Sequence, residues 1–171
     1  MNNIALKTIC VLSLLTIFVS CKQQANYMNV YEMVAEAQLT THGISADELD
    51  KKIDNGDMIL LIDVREPNEY NAGYIPGAVN MARGILEFNI NKDKFWEVAM
   101  LYMPEKDEEI ILYCRKGKRS ILAAQTLQQL GFTNVKYLMD GWKKWEMTFP
   151  EKFEKNLDQL GHDDGGEVGG C

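Results

Sequence analysis

The chain has 171 residues, 46% of them hydrophobic, and its 18 Lys and Arg against 25 Asp and Glu leave a formal net charge of −7. That length suits one globular core with extra segments at its ends and excludes a second full domain. The acidic balance argues against nonspecific nucleic-acid binding, so a basic cluster in this chain reads as a local anion site.

Residues 1–20 hold a lone Lys7 and an apolar run from Ile9 to Val19, too short to span a bilayer and suited to the core of an export signal. Phe18-Val19-Ser20-Cys21 resembles a bacterial lipobox, with small Ser20 before Cys21 and Phe18 where leucine is commoner. The resemblance implies lipidation at Cys21 and a lipid-anchored place in the bacterial cell envelope, on the periplasmic or outer-surface side. An ordinary signal peptide or an uncleaved anchor is the alternative. Cys10 then leaves with the signal and Cys21 is taken by lipid, so Cys114 and Cys171 remain. Two thiols so far apart are no disulfide framework and read as chemistry.

Residues 21–40 read as a tether passing into a helix, with Tyr31, Val34, Ala35 and Leu39 as its apolar positions. The main domain is expected over 41–149. His42 is one of two histidines, so a metal site of the usual kind cannot be assembled, and a structural or exposed role is expected for it. Ser45 and Glu48 form a capping box before a helix that ends near Asn55-Gly56. A strand over Met58 to Ile62 follows and places Asp63 at its carboxyl end. Ile75-Pro76-Gly77-Ala78 reads as a turn into a short edge strand. Arg83 has two readings, contact with an anionic substrate or a surface salt bridge. Phe95, Trp96, Val98, Ala99, Leu101 and Tyr102 suggest a helix with a broad apolar face in the core.

The most informative stretch is Ile110 to Tyr113, an apolar run of four, followed by Cys114-Arg115-Lys116-Gly117-Lys118-Arg119-Ser120 and a segment of helical period. The run is too short for a buried helix and reads as a central parallel strand. The following helix is expected to bury Ala123, Ala124, Leu127 and Leu130, with Gly131 as its stop. Cys114 then sits between the carboxyl end of a strand and a helix N-terminus, where open α/β sheets place ligands and where backbone N–H groups and the helix dipole favour an anion. Arg115, Lys116, Lys118 and Arg119 add four positive charges within five residues, which favours a reactive thiolate. The plainer reading is a buried cysteine beside a solvated basic face. Asn134 to Leu138 reads as the last strand and Asp140 to Trp145 as a covering helix. Residues 150–171 are expected to form a short helix on Phe153, Leu157 and Leu160, then a flexible Gly-rich tail from which Cys171 reaches Cys114.

Cys114 to Ser120 resembles the active-site loop of the rhodanese family, Cys-Arg-x-Gly-x-Arg-Ser, at each defining position. Two further matches accompany it. Asp63-Val64-Arg65-Glu66 with Gly73-Tyr74-Ile75-Pro76-Gly77-Ala78 is one, and Asp140-Gly141-Trp142 with Trp145 is the other. Tyr74 stands where the family usually has histidine, and Asp140 where the first glycine of a pair is common. The resemblance implies an α/β fold with a central, mostly parallel five-stranded sheet and helices on both faces. It also implies sulfur transfer through a persulfide on Cys114, with a small sulfane-sulfur donor such as thiosulfate, a thiol or cyanide acceptor, and no cofactor. In that reading the chain is a monomer that touches the membrane only through its lipid, and binds no nucleic acid. Gly117 and the four cations shape the loop, while Asp63 and Arg65 are supporting residues, Arg65 pairing with Glu66 or Glu69. Cys171 either accepts sulfur from Cys114 or resolves the persulfide to a disulfide. The competing readings are a noncatalytic or redox-relay persulfide module using Cys114 and Cys171, and a phosphatase-like enzyme. The Cys114 to Arg119 spacing is one residue shorter than that of phosphatase loops.

Overall fold

A computed structural model describes residues 26–27 and 29–159. The expected signal segment, Cys21 and Cys171 lie outside the described residues. In chain order the elements are α1 (Val30–Thr40), β1 (His42–Ile44), α2 (Ala46–Asn55), β2 (Leu60–Asp63), α3 (Pro67–Asn71) and β3 (Val79–Asn80). Then come α4 (Leu86–Asn89), α5 (Asp93–Val98), β4 (Ile110–Tyr113), α6 (Lys118–Gln129), β5 (Val135–Leu138), α7 (Gly141–Thr148) and a 3-10 turn at Leu157–Gln159. The five strands form one parallel sheet in the order β1-β5-β4-β2-β3. Among the described residues no helix is long and apolar enough to cross a membrane.

The central position of β4 explains its uninterrupted apolar sequence, because all four of its residues are buried and both sheet faces are covered. Side chains alternate between faces. Ile110, Leu112 and Cys114 turn to the layer of α4, α5 and α6 with Leu86, Trp96, Ala123, Ala124 and Leu127. Ile111 and Tyr113 turn to the layer of α2 and α7 with Leu49, Trp142 and Trp145. Trp96 and Trp145 are almost fully buried, and each indole N–H finds a carbonyl, that of Ile90 at 2.9 Å and that of Lys152 at 2.7 Å. Burying side chains of this kind contributes about 1.5–3 kcal/mol each. β2 lies beside β4 with Asp63 opposite Tyr113, so both strands deliver their carboxyl ends to one edge of the sheet.

Local signals of the chain act where expected. Ser45 accepts from the Glu48 N–H at 3.2 Å while the Glu48 carboxylate accepts from the Ser45 N–H at 2.8 Å, and Gly56 closes α2 at φ 71°. Gly131 ends α6 at φ 90°.

Other expectations are corrected by packing. β2 starts at Leu60, and Met58 is exposed. Leu130 is 38% exposed because Phe132, just beyond the helix, fills the core under α6 instead. The apolar run from Phe95 to Tyr102 is helical only to Val98. Trp96 alone is buried, and Val98, Leu101 and Tyr102 face out, since Met100 at φ 55° turns the chain away. α1 packs on α6 and β5 through Val34 and Ala37, whereas Tyr31, Ala35 and Leu39 are exposed. His42 is exposed and begins β1, an edge strand too short for its alternation to be read in sequence. Beyond Phe149 the expected helix is reduced to the 3-10 turn, and Phe153 packs edge-on to Trp142. Replacing Ser45 with alanine removes one side of the capping box and should lower unfolding free energy in urea by about 1 kcal/mol.

Candidate active site

The segment Cys114–Gly117 crosses from β4 to α6 under the start of α7. The Trp142 N–H donates to the Cys114 carbonyl at 2.8 Å and the Lys143 N–H to that of Arg115 at 3.0 Å. Among the described residues all peptide bonds are trans, so each clamped carbonyl points the next N–H, of Arg115 and of Lys116, away from α7. Among the described residues no acceptor takes the backbone N–H of any residue from Arg115 to Ser120. That row of donors opens a helix N-terminus, a setting that favours an anion. Gly117 makes the turn at φ 87°.

Cys114 is a free thiol with 2% of its surface exposed. The buried Ser120 hydroxyl donates to the Gly117 carbonyl at 2.8 Å and lies 3.8 Å from the Cys114 Sγ. Arg119 does not stand free. Its guanidinium forks onto the Glu69 carboxylate at 2.9–3.0 Å. Burial pushes the Glu69 carboxyl up, but the hydrogen bonds and charge of Arg119 outweigh it and hold the group below its usual range. Arg119 is in turn raised, mainly by its bonds to Glu69, with a smaller contribution from Cys114. Arg115, Lys116 and Lys118 are exposed. Lys118 sits over the Tyr31 ring at 4.1 Å, tying α1 to the loop.

Asp63 and Arg65 are both buried, and Arg65 pairs with Asp63 rather than with Glu66 or Glu69. The Asp63 carboxylate accepts from the Arg65 backbone N–H at 2.9 Å and from its Nε at 2.9 Å, and a second guanidinium nitrogen donates to the Gly73 carbonyl at 2.7 Å. Burial pushes the Asp63 carboxyl up, and Arg65 pulls in the opposite sense. The guanidinium lies over the Trp142 ring at 4.7 Å, so the pair supports the residue whose N–H holds the Cys114 carbonyl.

A cleft of about 400 Å³ opens beside the loop, lined by Arg65, Glu69, Gly73, Arg115, Lys116, Trp142, Lys143 and Glu146. Lys143 and Glu146 were not anticipated from sequence. Their only signal is an i, i+3 spacing on α7. Glu69 was assigned the wrong partner because its distance to Arg119, fifty positions along the chain, is set by the α3 and α6 packing. Arg83 forms an ion pair with Glu87 and donates to Thr126 at 3.0 Å, so it is the salt-bridge reading that holds. Among the described residues no group of His, Cys, Asp and Glu is placed to hold a metal ion. The departures noted in the sequence have local explanations. Tyr74 stacks on Tyr70 at 4.1 Å, and Asp140 takes φ 59°, a conformation in which glycine is common and aspartate tolerated.

The family model described as "Rhodanese-like domain" matches residues 45–148. This chain belongs to that family. A thiosulfate sulfurtransferase from Pseudoalteromonas translucida is 33% identical over 98 residues, covering 57% of this chain and 82% of the relative. A human thiosulfate:glutathione sulfurtransferase is 35% identical over 89 residues, 50% of this chain and 76% of that one. The match spans only 62%, 49% and 59% of the length of three further relatives, one from Schizosaccharomyces pombe and two from Bacillus subtilis. The solved structure of a human single-domain sulfurtransferase superposes with a TM-score of 0.57 at 28% identity, over 61% of this chain and 95% of that one.

Two outcomes follow for the clamp and the fork. A Cβ added to Gly141, at φ 59°, would stand 2.0 Å from the Cys114 carbonyl oxygen, so Gly141→Ala should destabilise the protein by about 3 kcal/mol or more in urea unfolding. Glu69→Gln should cost about 1 kcal/mol at pH 7, a small value because Arg119 is 38% exposed and solvent screens the pair. With the folded pKa of Glu69 depressed, this contribution is present above the unfolded value of about 4.3 and fades as pH falls through the folded value. Wild type and variant should therefore converge in stability in acid.

Proposed function

We propose that this rhodanese-like chain moves sulfane sulfur from a small donor such as thiosulfate to a thiol or cyanide acceptor through a persulfide on Cys114. The observation that carries this reading is the free Cys114 thiol placed at the carboxyl end of β4 in a loop whose N–H groups, from Arg115 to Ser120, have no acceptor among the described residues. Relatives named thiosulfate sulfurtransferase and thiosulfate:glutathione sulfurtransferase support the same substrate class. The Cys114 thiolate attacks the outer sulfur of the donor, the donor S–S bond breaks, and sulfite leaves with the electron pair. The persulfide anion that remains gains from the loop N–H groups, which are fixed before the charge arrives. Arg115, Lys116 and Lys143 on the cleft meet the anionic donor and its leaving group. Attack of an acceptor thiolate or cyanide on the outer sulfur returns Cys114 to the thiolate.

The ion pair of Arg119 disfavours the phosphatase reading. A phosphate cradle needs its arginine free to fork onto phosphoryl oxygens, whereas both terminal nitrogens of Arg119 are spent on Glu69. Lipidation at Cys21 would hold this activity at the envelope surface and is part of the same proposal.

The test is the intact mass of the full chain in detergent before and after thiosulfate, beside Cys114→Ser. Wild type should gain one sulfur atom and release sulfite, and the variant should do neither, its turnover falling to the uncatalysed background. Equal gain in the variant would remove Cys114 from the reaction.

A further inference from the structure

The loop around Cys114 holds nearly everything an oxyanion cradle needs. Among the described residues its N–H groups from Arg115 to Ser120 have no acceptor, and they open the N-terminus of α6. Arg119 lies in the first turn of that helix, near enough to Cys114 for the thiol to contribute to its raised pKa. A guanidinium so placed would fork onto two oxygens of a phosphate, a sulfate or a sulfite. In this protein the fork is already filled. One terminal nitrogen of Arg119 donates to one Glu69 carboxylate oxygen at 2.9 Å, and the other donates to both, at 2.9 and 3.0 Å.

Glu69 is also what an incoming anion meets. It lines the cleft of about 400 Å³ beside the loop, and Arg119 does not. Arg115, Lys116 and Lys143 on the same lining draw an anion in, while Glu69 and Glu146 set two negative charges against it. Arg65 reaches the cleft as well, but the buried Asp63 neutralises it. The short helix α3 fixes the position of Glu69. Beside it the Tyr70 hydroxyl donates to the Ala78 carbonyl at 2.8 Å, and Asn71 is buried. The Glu69 N–H itself donates to the Asn68 side chain at 2.8 Å. Solvent screens the Glu69 and Arg119 pair, so its stabilising effect is small. Its effect on what the loop can hold is larger, because it occupies the one guanidinium that would complete the cradle.

We propose that Glu69 is a specificity-determining residue. By filling the Arg119 fork and presenting its own charge to the cleft, it keeps the loop from retaining oxyanions. Phosphate and sulfate are thereby excluded, and the sulfite released from thiosulfate departs. The exclusion of phosphate needs only the geometry of the loop, whereas the release of sulfite rests on the persulfide reading above. Discrimination of this kind comes from an interaction that opposes the wrong ligand. A free Arg119 would hold the oxygens of the donor and those of the product alike, which strengthens binding without speeding the transfer. The outer sulfur of the donor needs only the loop N–H groups.

The experiment is isothermal titration calorimetry of inorganic phosphate into the full chain in detergent, followed by thiosulfate turnover with cyanide as acceptor. Glu69→Gln is the informative variant, since an amide keeps one oxygen acceptor and no charge, and the small loss of stability expected above leaves the protein folded. It should bind phosphate about 10-fold more tightly than wild type, the gain expected when one charged fork is freed for a ligand. Adding Arg119→Ala should return the affinity to the wild-type level. Glu146→Gln removes a cleft carboxylate without freeing an arginine and should tighten phosphate by no more than about 2-fold. In turnover, Glu69→Gln should lower kcat and the KM for thiosulfate together, each about 10-fold, with sulfite inhibiting at correspondingly lower concentration. A purely structural loss would lower kcat without tightening any ligand. Unchanged phosphate affinity in Glu69→Gln overturns the proposal, as does tightening that survives Arg119→Ala. An equal gain in Glu146→Gln overturns it too, by making the effect one of charge alone. Tighter phosphate with kcat and sulfite inhibition unchanged overturns the role in product release. If phosphate behaves as expected but wild type never turns over thiosulfate, the persulfide reading falls and the exclusion of oxyanions by Glu69 stands.

Discussion

Everything at this site depends on two backbone hydrogen bonds, from the Trp142 and Lys143 N–H groups to the carbonyls of Cys114 and Arg115. A loop of four residues between a strand and a helix has little to hold it in one shape. By taking its carbonyls, the N-terminus of α7 satisfies two of its own free donors and forces the loop N–H groups to the other side. The contact is so close that position 141 tolerates only glycine. The buried Asp63 and Arg65 pair sits below it, with the guanidinium over the Trp142 ring. Such a pair adds little net stability, since desolvation offsets attraction, but losing either partner strands a buried charge. Its effect is to fix the height and orientation of α7 over the loop.

The distribution of charge follows from the same frame. Cations inside the layers, Arg65 and Arg119, are matched by carboxylates and serve to hold elements together. Cations on the loop and on the outer face of α7 form no ion pair among the described residues and are exposed. Sequence shows only one basic cluster. The fold divides it into a structural guanidinium and a set of cations, unpaired among the described residues, around a nearly buried thiol.

Local order explains what was legible. The four apolar residues before Cys114, the loop spacing, the Ser45 and Glu48 cap and the stops at Gly56 and Gly131 are each decided within a few residues of chain, so sequence announces them. The rhodanese-like fold and the candidate nucleophile were readable for that reason. Elements with weak local signals were not. β1 has three residues, α3 has five, and the apolar run after Phe95 looks helical until Met100 turns it away.

By itself, then, the sequence determined where strand, loop and helix fall around Cys114, because those depend on neighbours along the chain. Tertiary structure decided who partners whom. Asp63 takes Arg65, Glu69 takes Arg119, and α7 takes the loop carbonyls, while Leu130 yields its place in the core to Phe132. Most of these contacts join segments far apart in the chain, and the geometry of packed layers, rather than local preference, sets which charges meet and which are left free.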